Sequence, residues 1–115
     1  MKLSRPLISL IALGCATPAL ACDPPAEVEI PPGDEATLEE MQAAQAGVQE
    51  FMAAMDEYLT CIDGEIEALG EDATQEDHDG LVEQYNEGVT QMEDLAADFN
   101  EQRQLYLDTA AAAGN

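Results

Sequence analysis

"TLEEMQAAQAGVQEFMAAMDEYLTCIDGEIEALG", residues Thr37 to Gly70, is the stretch on which the fold turns. Thr37 and Glu40 stand three apart, the spacing of a capping box in which each side chain takes up the other's orphan backbone N–H. From there Met41, Ala44, Val48, Phe51, Met55, Tyr58, Ile62, Ile66 and Leu69 recur every three or four residues and draw one apolar stripe along a helix. Gly70 follows the last of them, where a residue with positive φ would end the helix. The spacing predicts a helix over 38–69, about 48 Å long at 1.5 Å per residue. Gly47 and Gly64 interrupt it, each at about 1 kcal/mol relative to alanine.

Beyond it, "EDATQED" (71–77) supplies a turn and a second start. Thr74 can cap a helix with Asp77 at its third position and Glu76 beside it, favourable charges at a helix N-terminus. His78, Leu81, Val82, Tyr85, Val89, Met92, Leu95, Ala96, Phe99 and Tyr106 carry the stripe on, so a second helix is predicted over 75–112. So short a connection makes the two helices antiparallel neighbours. With the turn near Asp72, Met55 lies near Val89, Phe51 near Met92, Tyr58 near Tyr85, and Ile62 near Leu81 or Val82. Arg103 falls near Met41 and Glu40, where it can pair with a carboxylate in an exposed bridge worth less than about 1 kcal/mol.

On the other side, residues 22–36, "CDPPAEVEIPPGDEA", hold Pro24, Pro25, Pro31, Pro32 and Gly33. Paired prolines fix φ and remove donors, so this segment is extended. Val28 and Ile30 then point to one side and Glu27 and Glu29 to the other. A flexible linker is the competing reading. Still earlier, Lys2 and Arg5, the apolar run Leu7 to Leu13, and Ala19-Leu20-Ala21 have the form of a secretory signal peptide cleaved after Ala21. The apolar run is much shorter than the roughly 20 residues a spanning helix needs. The division of the chain is therefore 1–21 signal peptide, 22–36 arm and 37–115 helical hairpin.

Cys15 leaves with the signal peptide, and Cys22 and Cys61 remain as an even pair in an oxidising compartment, which argues for one disulfide. Residues 22–37 can span about 46 Å as polyproline II, more than the about 35 Å of helix from Leu38 to Cys61. The bridge would lay Val28 and Ile30 on the hairpin as a third layer and contribute about 3–4 kcal/mol. The expected fold class is all-α: a long antiparallel two-helix hairpin with an extended Pro-rich arm pinned by a disulfide. A lipid anchor is the competitor, but "ALGC" and "ALAC" place Leu13 and Leu20 only two residues before Cys15 and Cys22, one short of the usual lipoprotein spacing.

All 25 acidic residues lie beyond Ala21, against one basic residue, Arg103. Such a surface excludes nucleic acid and, unless the chain is lipidated, direct binding to anionic membranes, because there is no basic patch to meet phosphate. It suits a cationic partner, weak cation binding or a saline medium. High charge with few aromatics is also a mark of disorder, but the periodic stripe argues for a folded chain.

No residue set amounts to a catalytic or cofactor motif. His78 lies in "QEDHDG" (75–80) between Asp77 and Asp79, yet successive helix residues diverge and do not converge on a metal. Set against an EF-hand loop on Gly80, Gln75 falls at the first ligand position and Asn86 at the last, and neither fits. Weak cation condensation on Asp72, Glu76, Asp77 and Asp79 is the expectation there. Carboxylate pairs such as Glu65 and Glu67, or Glu93 and Asp94, read as a solvated face. Met41, Met55 and Met92 lie on the core stripe, with Met52 beside it, and are expected to pack rather than to bind copper. Tyr58, Tyr85 and Tyr106 stand equally well for core-edge residues or an interaction surface.

Taken together, "ALAC", "IPPG", "ATLEEMQAAQAGVQEFMAAMDEYLTC" and "YNEGVTQMEDLAADFNEQRQLY" resemble a family of small exported proteins of Gram-negative bacteria. The resemblance covers most of the chain after the signal. It implies export and a helical pair, and it carries no activity and no functional residue. The chain is more acidic than such relatives are expected to be, which fits a saline habitat. The functional expectation is a non-enzymatic periplasmic or secreted protein, structural or interacting, that offers an amphipathic helical face to a protein partner or to itself. The alternative is a low-affinity divalent-cation-binding or buffering protein.

Overall fold

The structure, a computed structural model, describes residues 22–114. The signal peptide, its cleavage after Ala21 and the Cys15 site lie outside the described residues. Two helices account for most of the rest: α1 (Leu38–Ala68) and α2 (Gln75–Ala113), of 31 and 39 residues. They pack antiparallel across the turn at residues 69–74. None of the described helices is long and apolar enough to cross a membrane.

Both helices begin as their sequences dictate. Thr37 Oγ1 accepts from the Glu40 N–H at 3.1 Å while the Thr37 N–H donates to Glu40 Oε2 at 3.4 Å. Thr74 and Asp77 repeat the arrangement at 3.1 and 3.2 Å. The end of α1 differs from expectation. No described residue has positive φ, Gly70 included. Instead Leu69 turns extended at φ −61°, ψ 123°, its N–H donates to Ile66 O, and Gly70 O accepts from the Ala73 N–H to shape the turn. A left-handed cap is unnecessary when the capping residue itself leaves helical space and keeps one orphan carbonyl satisfied.

Met41, Ala44, Phe51, Met55, Leu59 and Ile62 of α1 form the core, with Met55 fully enclosed and Ile62 1 % exposed. Tyr85, Val89, Met92 and Leu95 of α2 and Val28 of the arm pack on the Phe51, Met55 and Leu59 cluster, in keeping with the register deduced from the turn. Gly88, the only buried residue of α2, sits directly against α1 side chains. A Cβ there would meet Leu59 Cδ2 at 2.8 Å and Met55 Sδ at 3.1 Å.

The arm is the third layer. It runs back along α1 from the Cys22–Cys61 disulfide, whose Cα atoms are 5.7 Å apart. Val28 and Ile30 are half-buried and Glu27 and Glu29 exposed, the alternation of an extended segment. Val28 Cγ1 lies 3.2 Å from where a Gly47 Cβ would stand, so the glycine that weakens α1 also makes room for the arm. Residues 47, 51, 54, 58 and 61 step by four and three along α1 and are all buried or half-buried. They make a second seam, beside the one that faces α2, on which the arm lies. The arm ends in a turn at residues 33–35, closed by the Glu35 N–H donating to Pro32 O, so it is extended only up to Pro32.

Candidate functional site

Two regions carry the chemistry that the fold exposes: the bridge between arm and α1, and the open end of the hairpin. At the first, Cys61 lies one turn before Glu65 on α1, so their side chains share a face. The arm brings Cys22 to the same place. The two sulfurs and a Glu65 carboxylate oxygen lie within 4.8 Å of one another, and all three residues are half-buried. The reading of Glu65 as part of a solvated face is therefore corrected: it lies beside the disulfide, while Glu67 is exposed. A signal was present in the sequence, since Glu65 continues the spacing of Tyr58 and Ile62 toward Leu69.

At the open end, Leu38, Met41, Phe99, Arg103, Tyr106 and Leu107 line a shallow groove of about 220 Å³. Leu38 is 57 % exposed and Leu107 44 %, and Leu105 stands exposed nearby. Arg103 lies beside Met41 as the register requires, but it has no carboxylate within 4.0 Å; the one ion pair among the described residues is His78 with Asp79 at 3.6 Å. Glu40, the expected partner, is committed to the capping box. Arg103 instead lines the open-end groove with Leu38, Phe99 and Leu107.

The tyrosines do not form one surface. Tyr58 and Tyr85 pack half-buried against the core cluster, whereas Tyr106 belongs to the open-end groove, about 32 Å farther along α2. The polar residues of 75–80 are engaged locally. Asp77 caps α2, Asp79 Oδ1 accepts from Gln75 Nε2 at 2.8 Å, and the His78 N–H donates to Thr74 O. Asp79, Glu83 and Glu87 stand one turn apart along the outer side of α2 and line a wide groove with Val82 and Thr90.

Three further residues have roles that the apolar pattern does not display. Gly33 is buried against α2, its N–H donating to Gln102 Oε1 at 2.9 Å. A Cβ on Gly33 would land on the Gln102 carbonyl and crowd the Tyr106 N–H. Gln102 and Gly88 both sit on the stripe that runs through 81, 85, 88, 92, 95, 99, 102 and 106, at the positions where it lacks an apolar side chain. At the first gap α1 side chains pack against Gly88, and at the second the arm docks on Gln102. No protein-family model, curated protein or solved structure matches the chain.

Proposed function

We propose that the chain is an exported, non-enzymatic periplasmic protein that works as a structural or interaction module, offering one end of a rigid helical hairpin to a protein partner or to a second copy. Export rests on the basic, apolar and small-residue pattern of residues 1–21 and on the likeness to small exported Gram-negative proteins. The observation that carries the interaction reading is the open-end patch. Leu38 and Leu107 are exposed together beside Tyr106 on a surface otherwise crowded with carboxylates, and contiguous exposed apolar surface marks contact sites. The remaining seams are occupied by the arm and by the other helix.

Sedimentation of the mature protein at low and high salt tests self-association. A dimer that appears as salt screens the carboxylates, and that L107S abolishes, supports it. A monomer under both conditions removes the second copy and leaves a different protein as the partner. The second reading, weak cation binding, is favoured by Asp79, Glu83 and Glu87 lying a turn apart on α2. It requires millimolar divalent cations to raise helicity beyond what sodium chloride does at matched ionic strength; equal responses mean ordinary screening.

A further inference from the structure

We propose that Cys22, Cys61 and Glu65 form a redox-gated site for a thiophilic divalent cation of the zinc and cadmium type. Three ligand atoms, two sulfurs and one carboxylate oxygen, already lie within 4.8 Å of one another. Glu65 is held there by helix geometry, one turn beyond Cys61. Farther along the arm, Val28 packs on the core and Gly33 is hydrogen-bonded to Gln102. When the disulfide is opened, these contacts tether the arm to the hairpin, which limits how far the two thiols can separate. The Cα separation of 5.7 Å leaves room for the sulfurs to part around an ion by side-chain rotation.

The chemistry balances with one external reagent class. A dithiol reductant transfers two electrons and two protons to the S–S bond and becomes a disulfide, leaving two protein thiols. A divalent cation then displaces both protons and binds two thiolates and the Glu65 carboxylate. Two sulfurs with one oxygen suit zinc or cadmium over magnesium or calcium, which prefer all-oxygen shells. The half-exposed rim leaves a fourth position for water. The ion would close the same 39-residue separation as the disulfide, so the arm stays fastened when the bridge is reduced.

The test uses the mature protein reduced with a phosphine, desalted without oxygen and titrated with cadmium. The ultraviolet thiolate-to-cadmium charge-transfer band reports sulfur ligation, and a competing chelator sets the affinity. The expected result is one ion per chain with the band for reduced protein and no band for oxidised protein, whose response also measures background binding by surface carboxylates. Glu65→Gln should weaken the site at least about tenfold, while Glu67→Gln, on the exposed face, leaves it unchanged. Cys22→Ser should lose about half of the band per ion, with helicity by circular dichroism confirming that the variant is folded. Equal affinity in wild type and Glu65→Gln, or a band in the oxidised protein, overturns the proposal.

Discussion

The backbone N–H of Gly33 and the side chain of Gln102, 69 residues apart in the chain, meet in a 2.9 Å hydrogen bond that fastens the arm to α2. The disulfide fastens the other end of the same arm to α1. The arm therefore touches both helices and ties them together, which a two-helix hairpin with no enclosed interior needs.

Gly33→Ala should dislodge this contact, because its Cβ would fall on backbone that cannot move without unwinding α2. The expected loss is about 1–3 kcal/mol in urea unfolding, with faster exchange of the residue-33 amide, whose bond to Gln102 is lost. Gln102→Met removes the acceptor at nearly constant length and should cost about 1–3 kcal/mol by leaving a buried N–H unpaired. Gln102→Glu keeps an acceptor and should cost less.

Gly88→Ala tests the helix crossing. Its Cβ meets the ends of Leu59 and Met55, flexible side chains that can shift, and alanine favours helix by about 1 kcal/mol. The two effects should nearly cancel, whereas Gly88→Ile should destabilise by about 1–3 kcal/mol through overpacking. Gly64 has nothing within 4 Å of its would-be Cβ, so Gly64→Ala should stabilise α1 by up to about 1 kcal/mol.

Replacing both Cys22 and Cys61 by serine should lower stability to urea by about 3–4 kcal/mol. Part of that loss should return in 1 M sodium chloride, where the Debye length falls to about 3 Å. Urea rather than guanidinium is required, since guanidinium is itself a salt. A variant whose deficit is the same at every salt concentration would show that carboxylate repulsion does not act on the hairpin.

The Glu65 carboxylate also lies within 4.8 Å of the bridge sulfurs, so its charge opposes an approaching thiolate. At equal thiolate concentration, mercaptoethanesulfonate, with its extra negative charge, should reduce the disulfide more slowly than cysteamine. Glu65→Gln should narrow the ratio of the two rates, measured by alkylation of the released thiols. An unchanged ratio would assign the discrimination to the overall charge of the chain.

Much of this architecture could be read from residue spacing. The stripe from Met41 to Ile62, the two Thr caps and the Pro-rich arm each act locally, so helix bounds and turn follow from short-range rules, while the bridge follows from cysteine parity and the reach of the arm. The failures come from choices between partners. Arg103 has the right neighbours by register, but Glu40 is taken by its own cap, a competition that the two spacings, each read separately, do not resolve. Glu65 looks like one more surface acid until the arm arrives beside it. Gly33, Gly88 and Gln102 are silent in any hydrophobic count because their contribution is the absence of a side chain or a single amide. The exposed leucines at the open end lie outside the stripe as it reads in sequence, and α2 continues past the start of α1, which leaves Leu107 without cover.

The seat of the arm also imposes an order of assembly. Its floor is shared between α1 and α2, and one of its two fastenings is Gln102, near the end of the chain. Residues 22–33 are synthesised before either helix but have nowhere to lie until α2 has zipped back along α1 from the turn. Helix pairing needs only contacts that grow outward from residues 69–74, whereas arm closure requires the larger loop between Gly33 and Gln102 to be already shortened by that pairing. The opening residues of the arm thus lock last, and their locking marks a hairpin that is already complete.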